Sequence, residues 1–243
     1  MYEPLERHMK LADRAMLQLQ KLIIDRNFAP GDRLPSEVVL GERLHVSRTV
    51  IREALRGLSI KGLVEVRNGA GAFVRSPSTN LLSELLGMCV FHLEAGDVTS
   101  GHILEVRRTL EIEIAGLAAQ RHTPEHLAAL EHPLTLMADP GHSAEEYARI
   151  DCQFHNALAT ASRNPLFPIM LGSILEVLVQ NRVLAFRLPA TRKKALYHHR
   201  RVFIAVKTGS VARSRAAMEA HLRETEHTLR LALRQLRTER KQG

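Results

Sequence analysis

The pattern of apolar residues changes near residue 78, and this change restricts the chain to a small set of folds. Residues 1–78 combine helical periodicity with short alternating stretches that are typical of strands, whereas the later residues show one helical pattern after another and no convincing strand. The segment "VRSPSTN" separates the two patterns, because serine, proline and asparagine favour loops. The sequence therefore predicts a mostly α protein with a mixed N-terminal domain at 1–78 and an all-helical domain at 79–243.

Two short helices joined by a tight turn are predicted in the N-terminal domain, after a first helix at residues 11–25. Ser36 is a suitable N-cap for a helix that ends at Arg43 or Leu44. Ser47 is a suitable N-cap for the next helix, "RTVIREALRGLSI". With "HVS" as the turn between them, the two helices form a helix-turn-helix.

The second of these helices has two distinct faces, one of them apolar. On the other face Arg48, Arg52 and Arg56 recur every four residues, and Ser47 and Thr49 lie at its N-terminal end. This row of guanidinium groups is typical of a helix that enters the major groove of DNA, but it is equally typical of a solvated surface. The row alone leaves both alternatives open.

A β-hairpin is predicted directly after this helix. Val64 and Val66 alternate with polar residues, Asn68 and Gly69 form a strong turn signal, and residues 72–74 return as a second strand. A helix-turn-helix followed by a hairpin is a winged helix, which favours DNA binding by the arginine row. The net charge of +8 and the pI near 10.0 also favour a polyanionic partner.

The C-terminal domain is predicted to contain six or seven helices, at residues 80–95, 98–121, 124–137, 143–163, 166–186, 192–208 and 210–238. Pro133 is expected to interrupt its helix, because proline removes a backbone hydrogen bond. Cys89 and Cys152 lie in apolar patterns and are predicted to be buried, reduced thiols. The helix at 98–121 has an inward apolar stripe formed by Ile103, Val106, Leu110, Ile114, Leu117 and Ala118.

Asp151 and His155 lie four residues apart on a helix face that otherwise has the composition of a core. Alone, such a pair is more often a solvated surface pair than a ligand pair. His199 and His221 change this interpretation, because both lie on apolar faces of other helices, and a helical bundle can direct such side chains into one cavity. One carboxylate and three imidazoles suit a divalent transition metal, with zinc as the first choice and nickel, manganese or iron as alternatives.

The N-terminal domain resembles the GntR family of winged-helix regulators in the segments "PGDRLPSE", "VSRTVIREALRGL", "GLVEV" and "GAGAFV". The resemblance implies that Arg48, Thr49 and Arg52 meet DNA from the recognition helix, and that Gly69 lies at a wing tip that enters the minor groove. One position departs from the family, which usually has arginine after "PSE", where this chain has Val38. One expected DNA contact is therefore lost.

The C-terminal domain resembles the FCD ligand-binding domain of the FadR subgroup of that family, in "EVRRTLE", "LAAQRHT", "DCQFHNALATASRNPL" and "HRRVFIAVKTGSVARSRAAMEAHL". The resemblance implies that the metal ligands are Asp151, His155, His199 and His221. His198 is the alternative to His199, although the spacing favours His199. Arg107 is implied to face the effector cavity and to bind a carboxylate there, and its alternative role is a salt bridge to Glu111.

We interpret the chain as a cytoplasmic, homodimeric transcriptional regulator that binds a short palindromic operator in double-stranded DNA and responds to a small carboxylate effector. A metal-dependent hydrolase is the alternative from the enzyme class, but no general base or nucleophile motif accompanies the ligands. A DNA-binding protein without sequence preference would leave the wing and the cavity without a purpose. No apolar run approaches the roughly 18 residues of a membrane span, so no membrane partner is expected.

Overall fold

The computed structural model describes residues 9–25, 27–67, 69–75, 79–93 and 100–242. Contacts divide the chain into two compact units, Met1–Leu81 and Leu82–Gly243. The domain boundary predicted at residue 78 belongs to a segment, 76–78, that lies outside the described residues.

The N-terminal unit is a winged helix, as the sequence predicts. Its elements are α1 (Leu11–Ile24), α2 (Glu37–Leu44), α3 (Arg48–Ile60), β1 (Val64–Arg67) and β2 (Gly71–Val74). The two strands are antiparallel, with Val64 opposite Val74. A small core lies between the helices and the hairpin, and its most buried side chains include Leu19, Ile51 and Leu58.

The turn between α2 and α3 is fixed by side-chain caps and by one close approach. Ser36 and Ser47 each accept a hydrogen bond from a backbone N–H three residues later, at 3.4 and 3.3 Å. His45 ends α2 in the left-handed region, with φ of 53°. A Cβ atom at Gly41 would lie 2.9 Å from the carbonyl oxygen of Val46, so this position requires glycine.

From Thr79 onward, the described residues form eight helices and no strand. These are α4 (Thr79–Leu93), α5 (Ser100–Arg121), α6 (Pro124–Met137), α7 (Ala144–Ala161), α8 (Leu166–Val177), α9 (Val179–Phe186), α10 (Pro189–Lys207) and α11 (Val211–Gln242). The main core surrounds Phe154 and Leu158 of α7, which have no exposed surface. Helices α5, α6, α8, α10 and α11 contribute the other side chains of this core.

The single helix predicted at 166–186 is wrong, because two helices, α8 and α9, occupy this range. They meet at Leu178 with a bend of 61°. Leu178 is 2% exposed, and both helices contact α7. We attribute the bend to packing around α7, because no proline or glycine lies at the junction to mark a helix break. Among the described residues, no single helix has the length and apolar character of a membrane span. Only the bent pair α8–α9, taken together, is long and apolar enough.

The predicted interruption of α6 at Pro133 is also wrong. The helix continues to Met137, and Pro133 is buried together with Leu130, Leu134 and Met137. An interior proline costs a helix about 3 kcal/mol. Burial of the apolar side chains on this face offsets that cost, because tertiary packing supplies most of the stability of a helix in a folded protein.

Two predictions of burial need correction as well. Cys89 is exposed and Cys152 is only partly buried. Val106 of the predicted inward stripe of α5 is 53% exposed, whereas Arg107 and Glu111 are buried. The inward face of α5 carries this charged pair, and therefore the apolar positions one residue away are rotated toward the surface.

Candidate metal centre and nucleic-acid interface

Three helices of the C-terminal unit bring the four predicted ligands together. α7 supplies Asp151 and His155 from adjacent turns, α10 supplies His199, and α11 supplies His221. All four are buried, and each offers one ligand atom within 4.8 Å of the others. His198, the alternative to His199, is not part of this group among the described residues.

The distances within the group suit coordination of one ion. Nε2 of His155 lies 3.3 Å from Nε2 of His199 and 3.4 Å from Nε2 of His221. Oδ1 of Asp151 lies 3.3 Å from Nε2 of His199. Two atoms that each bind one ion at about 2.1 Å with a tetrahedral angle lie roughly 3.4 Å apart, so the group could hold a transition metal.

Glu111 of α5 orients the central imidazole, a role that the sequence did not reveal. Its Oε2 atom accepts a hydrogen bond from Nδ1–H of His155, while its Oε1 atom lies 2.5 Å from Nε of Arg107. With the Nδ1 atom protonated, the Nε2 atom of His155 keeps its lone pair for a metal. Metal-binding histidines usually donate their second N–H to a carboxylate in this way.

Burial keeps the imidazoles neutral and therefore able to coordinate. Burial, and then repulsion from the neighbouring rings, lowers the pKa of His199 and of His221 well below the usual range. Burial also lowers the pKa of His155. Burial would raise the pKa of Glu111, but attraction from Arg107 and the hydrogen bond from His155 outweigh it and hold the pKa well below its usual value, so Glu111 is a carboxylate.

A small cavity of about 40 Å³ adjoins two of the four proposed ligands, Asp151 and His221. Arg107 and Arg182 line it together with Asp151 and His221. The salt bridge that the sequence offered as one alternative for Arg107, to Glu111, is present. Arg107 also lines the cavity, which is the position that the other alternative requires.

Arg182 of α9 is a site residue that the sequence analysis missed. It is 4% exposed and contacts Asp151, and burial followed by repulsion from Arg107 lowers its pKa well below the usual range. The Nη1 atom of its guanidinium group forms the ion pair with the carboxylate of Asp151. A lone arginine within the apolar stretch "LEVLVQNRVLAF" was the available signal.

The predicted recognition helix α3 presents its polar face to solvent. The exposed residues are Ser47, Arg48, Thr49, Arg52 and Arg56, whereas Ile51, Ala54, Leu55 and Leu58 are buried. Nε of Arg52 lies 2.7 Å from Oε2 of Glu37, although Arg52 is 70% exposed. This acidic partner belongs to α2, so inspection of the α3 sequence alone could not identify it.

The wing and the start of α2 complete this surface. Gly69 has φ of +73°, and a Cβ atom there would meet no described atom within 4 Å, so the wing tip is open. Asn68, the other residue predicted at the tip, lies outside the described residues. Val38 is 39% exposed and borders the same shallow depression as Ser47 and Arg48.

Known proteins resemble this chain over most of its length. Residues 11–74 match the bacterial regulatory proteins of the GntR family, and residues 102–224 match the FCD domain. The HTH-type transcriptional regulator LutR of Bacillus subtilis (strain 168) is 34% identical over 213 residues, which cover 86% of this chain and 96% of LutR. The HTH-type transcriptional repressor NanR of Enterobacter sp. (strain 638) is 33% identical over 195 residues, which cover 79% of this chain and 72% of NanR. The solved structure of Streptococcus agalactiae GntR is 28% identical, with a TM-score of 0.67, over 89% of this chain and 99% of that one.

Proposed function

Since this chain belongs to the GntR family of DNA-binding transcriptional regulators and carries an FCD domain, we propose that a metal-bound carboxylate controls its affinity for operator DNA. The metal would be a divalent transition ion, with zinc as the first choice, held by Asp151, His155, His199 and His221. Regulators of this family are not enzymes. The family therefore favours a regulator over the metal-dependent hydrolase.

The convergence of four buried donors is the observation that supports the metal. Nε2 of His155 lies 3.3 Å from Nε2 of His199 and 3.4 Å from Nε2 of His221, and Asp151 brings one negative charge to within 3.3 Å of Nε2 of His199. Without a cation, lone pairs at this distance repel one another. The carboxylate of Glu111 behind His155 completes the arrangement that metal-binding histidines usually have.

An organic acid could reach this metal, because the adjoining cavity contains the guanidinium groups that recognise carboxylates. Arg107 lies within 3.4 Å of Nε2 of His155, so an acid bound to the metal would lie beside it. Four protein ligands on an ion that accepts five or six leave positions for the acid.

The exposed face of α3 would meet DNA in the major groove. We infer contacts to bases or phosphates from Ser47, Arg48, Thr49, Arg52 and Arg56 and, at the wing, from Asn68 and Gly69. The N-terminal ends of recognition helices usually reach the base edges, which gives Arg48, Thr49 and Arg52 the larger part in sequence preference.

A second copy of the chain would complete the DNA-binding unit. An apolar groove of about 230 Å³ lies among α4, α5 and α8, and is lined by Leu82, Leu86, Ile103, Val106, Leu110, Met170, Ile174 and Val177. Val106 and Met170 are about half exposed, at 53% and 45%. Since a palindromic operator requires two recognition helices related by a twofold axis, we propose that this groove is covered in a homodimer.

Elemental analysis tests the metal. Protein purified without chelator should contain about one divalent ion per chain, and His155→Ala and His221→Ala should each lose it, because a three-ligand remnant binds far more weakly. His227→Ala is the matched control, since His227 lies on the exposed side of the same helix as His221. Full metal content in both ligand variants would refute the assignment.

A DNA-binding assay on a short palindromic operator tests the regulation. Protein from which a chelator has removed the metal should still bind this DNA. Organic acids should no longer change the affinity of the protein for DNA, because the proposed acid site includes the metal. An undiminished response to the acid after chelation would exclude a metal-bound effector.

A further inference from the structure

The charged residues of the C-terminal unit are segregated by sign along the chain. No aspartate or glutamate occurs between Glu176 and Glu219, and α10 alone carries six lysines and arginines. Residues 122–148, by contrast, contain five aspartates and glutamates and no lysine or arginine. Because α6 packs against α10, the two segments place opposite charges side by side on one unit.

The basic segment presents one exposed stripe along α10. Its members recur every three or four residues, which places them on one face of the helix, and they are Lys193, Tyr197, Arg200, Arg201, Ile204 and Lys207. Tyr197 and Ile204 are each 59% exposed, so two apolar side chains lie among the cations of this basic stripe. Lys194, beside it, pairs with Glu224, whereas no carboxylate of the described residues pairs with a cation of the stripe.

The acidic segment forms a corner made of α6 and the start of α7. All five of its carboxylates belong to exposed residues, namely Glu125, Glu131, Asp139, Glu145 and Glu146. Asp139 and Glu146 accept hydrogen bonds from nearby backbone N–H groups, which fixes the direction of these two carboxylates. Within the described part of the chain, no lysine or arginine pairs with any residue of this acidic corner.

The composition of the basic stripe fits a protein partner better than DNA. Phosphates would leave Tyr197 and Ile204 without a contact, whereas arginine and aromatic residues are enriched where proteins meet. A complementary acidic surface is present on the same chain, so a second copy supplies it. A twofold axis between α6 and α10 would bring each basic stripe against the acidic corner of the other copy.

We propose that two copies of the chain associate through this face, with the basic stripe of each copy lying against the acidic corner of the other. The apolar groove proposed for the homodimer is lined by residues of α4, α5 and α8, so the two faces are separate and one copy can use both. Homodimers would therefore join into larger assemblies. This inference goes beyond the proposed function and depends on neither the metal nor the effector.

Sedimentation velocity on the full-length protein, at low and at high salt, tests the association. The unchanged protein should form assemblies larger than a dimer at low salt, and these should dissociate as salt screens the charges. Arg200→Glu combined with Arg201→Glu should weaken association about 10- to 100-fold, because like charges then face each other. Arg213→Glu combined with Arg223→Glu is the matched control, since both residues are exposed on α11 and the change in net charge is the same.

A mixing experiment tests whether the two surfaces are complementary. Glu131→Lys combined with Glu145→Lys makes the acidic corner basic, and this variant should also lose self-association. An equimolar mixture with the α10 variant should associate again, because opposite charges then face each other across the interface. Ile204→Asn changes no charge and should still weaken association, an effect that unspecific attraction between charged proteins would not produce.

The remaining outcomes separate this face from other partners and from the groove. If the α10 variant and the α11 control have the same mass distribution at every salt concentration, the inference is wrong. It is also wrong if the α10 substitutions leave the mass unchanged but weaken binding to random DNA, because the stripe then binds phosphates. If Val106→Asp, in the groove, leaves dimers that the α10 substitutions split, the groove proposal fails and this inference stands.

Discussion

Glu111 does not belong to the group of four donors, yet it decides which nitrogen of His155 is available to a metal. Its carboxylate lies between the imidazole of His155 and the guanidinium of Arg107, with no exposed surface. It therefore fixes the tautomer of the ring and compensates a buried positive charge at the same time.

Glu111→Gln should weaken zinc binding about 10- to 100-fold, because the amide carries no charge to strengthen His155 as a ligand. A competition titration against a chromophoric chelator measures this change. Glu113→Gln is the control, because Glu113 lies on the same helix and pairs with Arg215 at the surface. Equal zinc affinities in the two variants would show that Glu111 does not act on the metal.

Arg52 forms an ion pair within the protein that is relevant to DNA recognition. Nε of Arg52 and Oε2 of Glu37 are 2.7 Å apart, and an exposed pair of this kind contributes little to stability. The Glu37 carboxylate, on α2, instead restricts the orientation of the Arg52 guanidinium, on α3. Glu37 can thus orient Arg52 before DNA is bound.

Arg52→Ala should cost roughly 1–3 kcal/mol on the operator and relax base choice at one position, if the guanidinium reaches a guanine edge. Gel-shift titrations on operator and on single-base variants measure both effects. Glu37→Gln should leave the preferred base unchanged, since it removes only the partner. A uniform loss on every sequence after Arg52→Ala would identify a phosphate contact instead.

The four donors could be predicted from sequence, but the residues that support them could not. Histidine and aspartate are unusual on apolar helix faces, so Asp151, His155, His199 and His221 are visible in the pattern. Glu111 and Arg182 are charged residues of types that are normally exposed, and only the packing of α5 and α9 shows that they are buried. Local sequence holds little information on such long-range packing.

Among the helices and strands, the predictions succeeded where local signals decide the structure. Ser36 and Ser47 mark the starts of α2 and α3, and both caps are present. The predictions failed at Pro133 and at Leu178, where burial determines the path of the chain. An interior proline is tolerated in the first case, and a bend occurs without a breaker in the second.

The turn between α2 and α3 provides a test at the scale of the element. Gly41→Ala would place a Cβ atom 2.9 Å from the backbone oxygen of Val46, and relief of this contact requires α2 and α3 to move apart. We expect the free energy of unfolding of the N-terminal unit to fall by about 1–3 kcal/mol, the usual cost of overpacking. Chemical denaturation followed by circular dichroism measures it.

Glu42→Ala is the matched control for this turn, since Glu42 is the next residue of α2 and is exposed. Its unfolding free energy should remain within about 0.5 kcal/mol of the unchanged protein, as for most surface substitutions. Zinc content should be normal in both variants, because the four donors belong to the other unit. A Gly41→Ala protein as stable as the control would show that the turn adapts without cost.

At the scale of the whole molecule, the proposed homodimer would couple its two proposed sites through a change in how the two copies present their recognition helices. A ligand can shift such an equilibrium only by as much as it prefers one arrangement over the other. The acid and the operator must therefore affect each other's affinity by the same factor. Operator DNA should thus alter the affinity for the organic acid as much as the acid alters the affinity for operator.

Val38 allows the number of subunits on the DNA to be counted. It is 39% exposed beside Ser47 and Arg48, at a position where the resemblance to GntR regulators leads us to expect arginine. Val38→Arg should add one phosphate contact per subunit, and each contact steepens the plot of log affinity against log salt by about 0.9. A homodimer on a palindrome should therefore show an increase of about 1.8, and a monomer about half of that.

Fluorescence anisotropy titrations at several salt concentrations measure this slope. Ile204→Arg is the control for net charge, because Ile204 is 59% exposed on α10 in the other unit. It should leave the slope nearly unchanged, since an exposed charge that makes no phosphate contact is screened by salt. If the salt slope of Val38→Arg equals that of Ile204→Arg on operator and on random DNA, position 38 faces away from the phosphates. A changed base preference in place of a steeper slope would instead place the new guanidinium at a groove edge, where base pairs are distinguished.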